Sequence, residues 1–414
     1  MNISLKIPSF NELLNISFVI YAFMLPLSVT YTLHTGPYII LALWILSNDF
    51  RKKSKILYED KSMIFLAGFV VVSAVSILWT SDENIHHGVK VLKQYFVFLI
   101  LYITITTSLQ KKYIQKIIYS FLSAMFISEI TSYGIYFGYW LTKKGTPSDP
   151  TPFLHHSHYA LMLSVTILLL IYQLLKKSPK TNTDKIIYIF EIVFLMTATT
   201  NLFVNGGRMG QLIFLISTSI FLIYYYRKAL SRFFISVVLL VLVVFVAYIF
   251  SPVFHTRVEQ GINDLSKITQ GDYNSSFGIR YALKKIIIIN KEKVPILGYG
   301  IGDDLEWHSF VSSEDNEFKP IENIGHLHDQ YLQIYMQTGA IGLFFYISFI
   351  LTISRSYTDD PLNKSLLYSI VSSFILAAGI DLMFYSALGP FFGFMIPFVK
   401  MICQTDSKQT LKRS

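Results

Sequence analysis

The sequence predicts an all-α polytopic membrane protein, and three observations carry that reading. Apolar residues come in long runs, such as Phe233 to Phe250 and Leu161 to Leu175. These runs are apolar on every helical face rather than along one stripe, as lipid-facing or deeply buried helices are. Only 15% of the 414 residues are charged while 53% are hydrophobic, where a soluble domain carries about a quarter charged residues. Crossing a bilayer takes about 20 apolar residues, because the hydrocarbon core is about 30 Å thick and a helix rises 1.5 Å per residue. A soluble protein of this size can bury a few such helices, not about a dozen. Lipid is the solvent.

The runs mark about twelve spans. They centre on Leu13–Val29, Tyr38–Leu46, Met63–Trp79, Val89–Thr106, Ile114–Trp140, Ser157–Leu175, Ile186–Phe203, Gln211–Tyr226, Phe233–Phe250, Tyr331–Ile353, Ser365–Ser386 and Phe391–Ile402. The second is short, and it and the twelfth have the length of tilted or re-entrant segments. The first is read as a span rather than a signal peptide, since Lys6 makes a weak basic leader and no small-residue cleavage site follows.

Basic residues set the orientation. One set of alternate connections holds Arg51, Lys52, Lys53 and Lys55, then Lys111 and Lys112, then Lys176, Lys177, Lys180 and Lys185, then Arg227, Lys228 and Arg232, and finally Lys408, Lys412 and Arg413. With about 22 of the Lys and Arg on that side, it is cytoplasmic by the positive-inside rule, as are both termini. The net charge of +9 therefore reports topology, and nucleic acid is not an expected partner. Cys403 is the only cysteine, which excludes an intramolecular disulfide and a thiolate metal site.

The chain divides into residues 1–250 with nine spans, an outward-facing loop over 251–330, and residues 331–414 with three spans and a cytoplasmic tail. The loop is too long to be a bare connection. Ser275 and Ser276 are N-cap residues for a helix over Phe277 to Asn290, with Ile279, Leu283, Ile286 and Ile287 at helical spacing. Pro295, Gly298, Gly300 and Gly302 end it. With Lys284, Lys285 and Lys291, such a helix either lies along the outer bilayer face or caps the bundle.

Several residues invite chemistry. Arg208 sits in Asn205-Gly206-Gly207-Arg208-Met209-Gly210, wedged between two spans. Glycines there would let backbone N–H groups approach an anion, and Arg supplies a planar fork of donors; the plain alternative is an arginine snorkelling to headgroups. Arg280 opens the loop helix, and Arg257 carries a weaker signal. His326-Leu327-His328-Asp329 lies where the loop re-enters the membrane, and histidine is the side chain suited to proton transfer near neutral pH. A metal is not expected there, because positions i and i+2 of a helix face apart. His155, His156 and His158 form a second cluster with no motif around it. Asp381 falls inside the expected eleventh span, where an ionisable residue normally has a partner or a function, and Glu129, Glu191 and Lys93 raise the same question.

Taken together, these segments resemble the O-antigen ligase family, bacterial inner-membrane glycosyltransferases of GT-C-like architecture, and its relatives the O-antigen polymerases and protein O-oligosaccharyltransferases. The likeness covers the whole topology. It is most specific over Ser275 to Phe345, in Pro295-Ile296-Leu297-Gly298-Tyr299-Gly300, in Gly325-His326-Leu327-His328-Asp329-Gln330-Tyr331-Leu332 and in Gly339-Ala340-Ile341-Gly342-Leu343. The family's histidine before Asn or Asp and a helix start falls on His328, its two arginines on Arg208 and Arg280, and its acid in the penultimate span on Asp381. Trp79-Thr80-Ser81-Asp82 matches a further common feature, while Asp329 departs from the more usual Asn. The resemblance implies a donor glycan on undecaprenyl diphosphate, a lipid A–core hydroxyl as acceptor, inversion at the anomeric carbon, and no metal or other cofactor. It implies His328 as base, Arg208 and Arg280 on the diphosphate, and Asp381, Asp329 and His326 in support. A different-class reading is a transporter or flippase for lipid-linked glycans that uses the intramembrane acids.

Orientation is directly testable. Reporter fusions at Lys53 and Lys180 should read cytoplasmic and one at Asp272 periplasmic. A cytoplasmic signal from Asp272 would refute an outward-facing loop.

Overall fold

A computed structural model describes residues 8–27, 30–140, 142, 145–311, 317–355 and 358–410. Lys6, Val29, Lys412 and Arg413 lie outside them. Apart from one isolated bridge between Thr146 and Asp149, every regular element among the described residues is helical. The helices are α1 (Phe10–Leu27), α2 (Thr30–Leu46), α3 (Phe50–Glu59), α4 (Lys61–Val75), α5 (Ile85–Ser108), α6 (Lys111–Tyr136), α7 (His156–Lys176) and α8 (Asn182–Val204). They continue with α9 (Arg208–Tyr226), α10 (Leu230–Phe250), α11 (Pro252–Thr269), α12 (Ser276–Ile289), α13 (Gln330–Ile353), α14 (Pro361–Ala378) and α15 (Leu388–Thr410).

Each of the twelve expected spans falls on a helix, but only eight helices among the described residues are long and apolar enough to cross a membrane. These include α1, α5 and α7 to α10, together with α13 and the stretch Lys61–Trp79 that begins with α4. Apolar stretches of α2 and α15 are shorter. The helices pair as α1 with α6, α4 with α13, α5 with α15, α9 with α14 and α7 with both α8 and α9. Their inward faces form one large apolar core from Leu14 to Cys403. By contrast, α10 buries none of its residues.

Two helices were not expected. Basic α3 follows α2, and α11 runs from an N-cap at Ser251, whose hydroxyl accepts from Phe254 N at 3.2 Å. The loop helix is present as α12, capped by Ser275, which accepts from Gly278 N at 3.0 Å. It caps the bundle. Ala282, Leu283, Ile286 and Ile287 pack with Trp307, Phe310, Ile321, Leu327 and Met336 into a second, smaller core.

That second core is joined to the bundle through a break in α13. Gly339 has φ 62° and ψ −158°, a region open essentially to glycine alone. The Pro295–Gly300 turn fills the break: Tyr299 N donates to Met336 O at 2.8 Å and Gly300 N to Gln337 O at 3.1 Å. Carbonyls freed by the kink are thus satisfied by the loop rather than left bare in a poorly solvated place.

Gly339→Ala should therefore be severely destabilising, since its Cβ would lie 2.1 Å from Ile296 O in a conformation closed to alanine. Gly325→Ala, with open space around it, is the control. Thermal unfolding of the detergent-purified chain should separate the two clearly; equal midpoints would remove the break from the account.

Candidate functional site

The site is assembled at the end of the bundle where α12 lies across the start of α13 and the exit of α14. Asp329 is the N-cap of α13, its carboxylate accepting from Tyr331 N at 2.9 Å and Leu332 N at 3.0 Å. The same carboxylate pairs with Lys284 Nζ at 2.9 Å. His328, directly before the cap, has a left-handed backbone with φ 49°, a region in which His is enriched among non-glycine residues. Buried Leu327 and Asp329 on either side hold it there.

Asp381 is not inside a span. Helix α14 ends at Ala378, and Asp381 lies in the irregular stretch that follows, its N–H bonded to Ala377 O at 2.9 Å. The apolar run Ile380 to Leu388 reads as helix, but two cations from α12 hold the chain in another conformation. Arg280 Nε donates to Ile380 O at 3.1 Å, and Lys284 Nζ to Gly379 O at 2.7 Å. Asp381 Oδ1 then lies 3.5 Å from His328 Nδ1, an ion-pair separation too long for a well-formed hydrogen bond. His328 Nδ1 has no hydrogen-bond partner among the described residues. Burial pushes the Asp381 carboxyl up, but His328, the Leu382 N–H and the more distant His158 together bring it below its ordinary value. It is a carboxylate throughout the neutral range.

Arg280 joins this pair electrostatically. Burial lowers its pKa, Asp381 raises it, and nearby Arg208 lowers it again. Arg208 opens α9, with Nη1 3.4 Å from Asp264 on α11 and its guanidinium 5.1 Å from the Phe277 ring on α12. The glycines before it do something other than expected. Gly206 N donates to Asp149 Oδ1 at 3.1 Å and Gly207 N to Asn205 Oδ1 at 2.9 Å, so these donors are already used. A Cβ on Gly207 or Gly210 would meet Ala160 at 2.5 and 2.3 Å; these glycines let α7 and α9 approach closely.

His326 is exposed and lies against His328, the two rings tilted at 53° with centroids 3.9 Å apart. Its pKa is lowered by burial of its ring face and by His328, against the pull of Asp381. The segment 325–329 is not helical, so the helical argument against paired histidine ligands does not apply. Ligand atoms of His326, His328 and Asp381 all lie within 4.8 Å of one another. Their spacing would admit a cation, but the guanidinium groups alongside favour an anion.

Three residues that the sequence marked only weakly gather near this end, and two aspartates were missed from it. His158 reaches Asp381 electrostatically, His156 Nδ1 pairs with Asp149 at 3.0 Å, and Arg257 lies against Gly206. Asp303 accepts from Ser81 N, Ser81 Oγ and Asn84 Nδ2 at 2.7, 2.5 and 2.7 Å, which ties the Trp79–Asp82 segment to the turn containing Gly300 and Gly302. Asp304, buried, pairs with His87 at 3.0 Å and with Gln333 of α13. Only the adjacent Gly300 and Gly302 signalled such contacts. Glu191 pairs with Lys177, whereas both carboxylate oxygens of Glu129 lack hydrogen-bond partners among the described residues.

Comparison with known proteins adds two findings. A family model described as O-antigen ligase matches residues 192–347, a stretch containing Arg208, Arg280, His326, His328 and Asp329 but ending before Asp381. A protein of Haemophilus influenzae (strain ATCC 51907 / DSM 11121 / KW20 / Rd), described as uncharacterized, is 26% identical over 211 residues, 50% of this chain and 51% of its own length. The chain thus spans about half the length of that curated relative.

The Lys284 bridge offers a structural test. Lys284→Met removes a cation shared by Asp329 and Gly379, one partner of which is buried, and should lower the unfolding midpoint of the purified chain. Lys284→Arg should restore most of it. An unchanged midpoint in Lys284→Met would mean that α12 is held by its apolar face alone.

Proposed function

We propose that the chain, whose residues 192–347 match a family model described as O-antigen ligase, is such a ligase itself. In this reading it is an inverting, metal-independent glycosyltransferase of lipopolysaccharide biosynthesis. It moves a glycan from undecaprenyl diphosphate to a hydroxyl of lipid A–core oligosaccharide at the periplasmic face of the bacterial inner membrane, with both termini cytoplasmic. The observation that carries the proposal is the convergence of a His–carboxylate pair and two guanidinium groups at one end of a membrane bundle.

The chemistry asks for those groups. A sugar hydroxyl is a poor nucleophile at neutral pH, so a base that takes its proton as the bond forms accelerates attack. His328 turns Nδ1 toward Asp381, which leaves Nε2 to accept the acceptor's proton, with Asp381 favouring the imidazolium that results. Attack on the anomeric carbon from the face opposite the diphosphate breaks the glycosidic C–O bond and inverts the centre. The leaving diphosphate is already a stable anion and needs charge stabilisation more than a proton. Arg208 and Arg280 supply it through charge-assisted hydrogen bonds, and no metal has to be shared with the phosphates.

An O-antigen polymerase or a protein O-oligosaccharyltransferase would use the same donor chemistry with another entering hydroxyl. Deleting the gene separates them. Loss of a ligase leaves polymer on the carrier and bare core, whereas loss of a polymerase leaves single repeat units on the core. The transporter reading is weakened by the position of Asp381 outside α14, and Glu129 is the acid that still speaks for it.

With purified protein, lipid-linked donor and core acceptor, His328→Ala should lose about 10²–10⁴-fold in rate, the usual cost of removing a general base. His326→Ala should keep most activity, and chelators should have no effect. Asp381 lies beside Nδ1 of His328 and orients the ring. Asp381→Asn should therefore lower kcat with the protein still folded. Full activity in His328→Ala, or activity abolished by chelation, would overturn the base assignment.

A further inference from the structure

A large cavity lies away from His328. It is an apolar groove of about 690 Å³ between α10 and the trio α7, α8 and α9, lined among others by Ile171, Leu195, Phe214, Leu240 and Val243. Its few hydroxyls are mostly turned away. Thr199, Thr200 and Ser236 bond back to carbonyls four residues earlier in their own helices, and Ser251 Oγ donates to Phe203 O at 2.7 Å. The wall formed by α10 is loosely held, because none of that helix's residues is buried.

Length and position say what fits. The lining runs along α10 from Ser236 to Ser251, about 22 Å at 1.5 Å per residue, which is most of the thickness of a hydrocarbon core. At one end it stops at Phe203, Val204, Phe250 and Ser251. From there α8 passes through Asn205-Gly206-Gly207 to Arg208, and α11 begins at Pro252 and carries Asp264, the partner of Arg208. A long apolar slot inside a membrane bundle, with a guanidinium at its outward mouth, suits an amphiphile with one long hydrocarbon chain and an anionic phosphate head.

We propose that this groove holds the polyprenyl chain of the lipid-diphosphate donor, entering sideways past α10, so that its length places the diphosphate at Arg208. The proposal rests on the donor reading above but concerns binding, which can be measured without transfer. Packing of the hydrocarbon chain against the groove wall does not change during reaction, so the groove sets KM and register rather than kcat.

The test uses the full chain in phosphatidylglycerol nanodiscs and a photoreactive polyprenyl diphosphate carrying a benzophenone in its tail. Irradiation should label peptides of α7, α8, α9 and α10. Unlabelled polyprenyl diphosphate should compete, whereas added phosphatidylglycerol should not. Ala247→Trp, which fills the slot, should cut labelling by about tenfold, equivalent to about 1.4 kcal/mol of lost binding. Ile189→Trp, on an exposed face of α8 outside the lining, should leave labelling unchanged. Labelling outside α7 to α10, or equal competition by phosphatidylglycerol, overturns the proposal and makes the groove an ordinary lipid-filled seam. Specific labelling in a protein that transfers no glycan keeps the groove assignment and sinks the transferase reading instead.

Discussion

Two cations one turn apart on α12, Arg280 and Lys284, hold the geometry on which the rest of the site depends. Helix α14 ends without regular continuation, and the carbonyls at such an end need donors. Lys284 reaches Gly379 O and Arg280 reaches Ile380 O, while Lys284 also pairs with Asp329 at the start of α13. One helix therefore clamps the exit of α14 and the entry of α13 at once. His328 lies one residue before the first clamp point, and Asp381 one residue after the last. An ion pair in open water contributes at most about 1 kcal/mol. Here the Asp329 side chain is only 7% exposed, and the pair works with two carbonyl contacts and an apolar face behind it. The arrangement matters as a set.

The irregular backbone at this end is paired off with similar economy. The kink at Gly339 frees carbonyls that the Pro295–Gly300 turn takes up, and the neighbouring Asp303 takes the donors of Ser81 and Asn84. The connection between α4 and α5 and the break in α13 are thereby tied to one loop. His328 can occupy a left-handed backbone because its neighbours are fixed: Leu327 is in the smaller core and Asp329 caps α13. Strain of about 1–3 kcal/mol at a single residue survives only where the surroundings over-determine it. Such rigidity is what a base needs, since a shift of about 1 Å can cost roughly a hundredfold in rate.

What was legible in the sequence was whatever the local pattern dictates. Apolar runs located the long helices, and Ser275 announced α12 because a hydroxyl before a helical pattern satisfies a free N–H. Amphipathic α3 and α11 were not legible as helices, because charges and apolar residues are mixed in them without a long run. At Asp381 the local apolar pattern lost to α12, a competitor nearly a hundred residues away in sequence. The glycines around Arg208 looked like an anion cradle and proved to be a helix contact, since a missing Cβ serves either purpose and only the neighbour, Ala160, decides. The cluster containing His158 was visible, but nothing near it in sequence reveals that His158 acts on Asp381.

On the proposed reading, the electrostatics of the site favours an anionic occupant. Arg280 is disfavoured in its charged form by burial and by Arg208, and only Asp381 offsets this. Without a ligand the two guanidinium groups repel each other, and Arg208 uses Asp264 as a distant counter-charge at 3.4 Å. A diphosphate between them would relieve that repulsion, and would relieve it most when its negative charge is greatest. In the intact donor the terminal phosphate is esterified to the sugar. As the glycosidic bond breaks, charge accumulates on the leaving oxygens, so the attraction grows along the reaction coordinate. Interactions that strengthen toward the transition state raise the rate, while those already complete in the bound donor do not. Under the proposed chemistry the repulsion between Arg208 and Arg280 thus contributes to catalysis, and the apolar groove serves to hold the donor where that change in charge is felt.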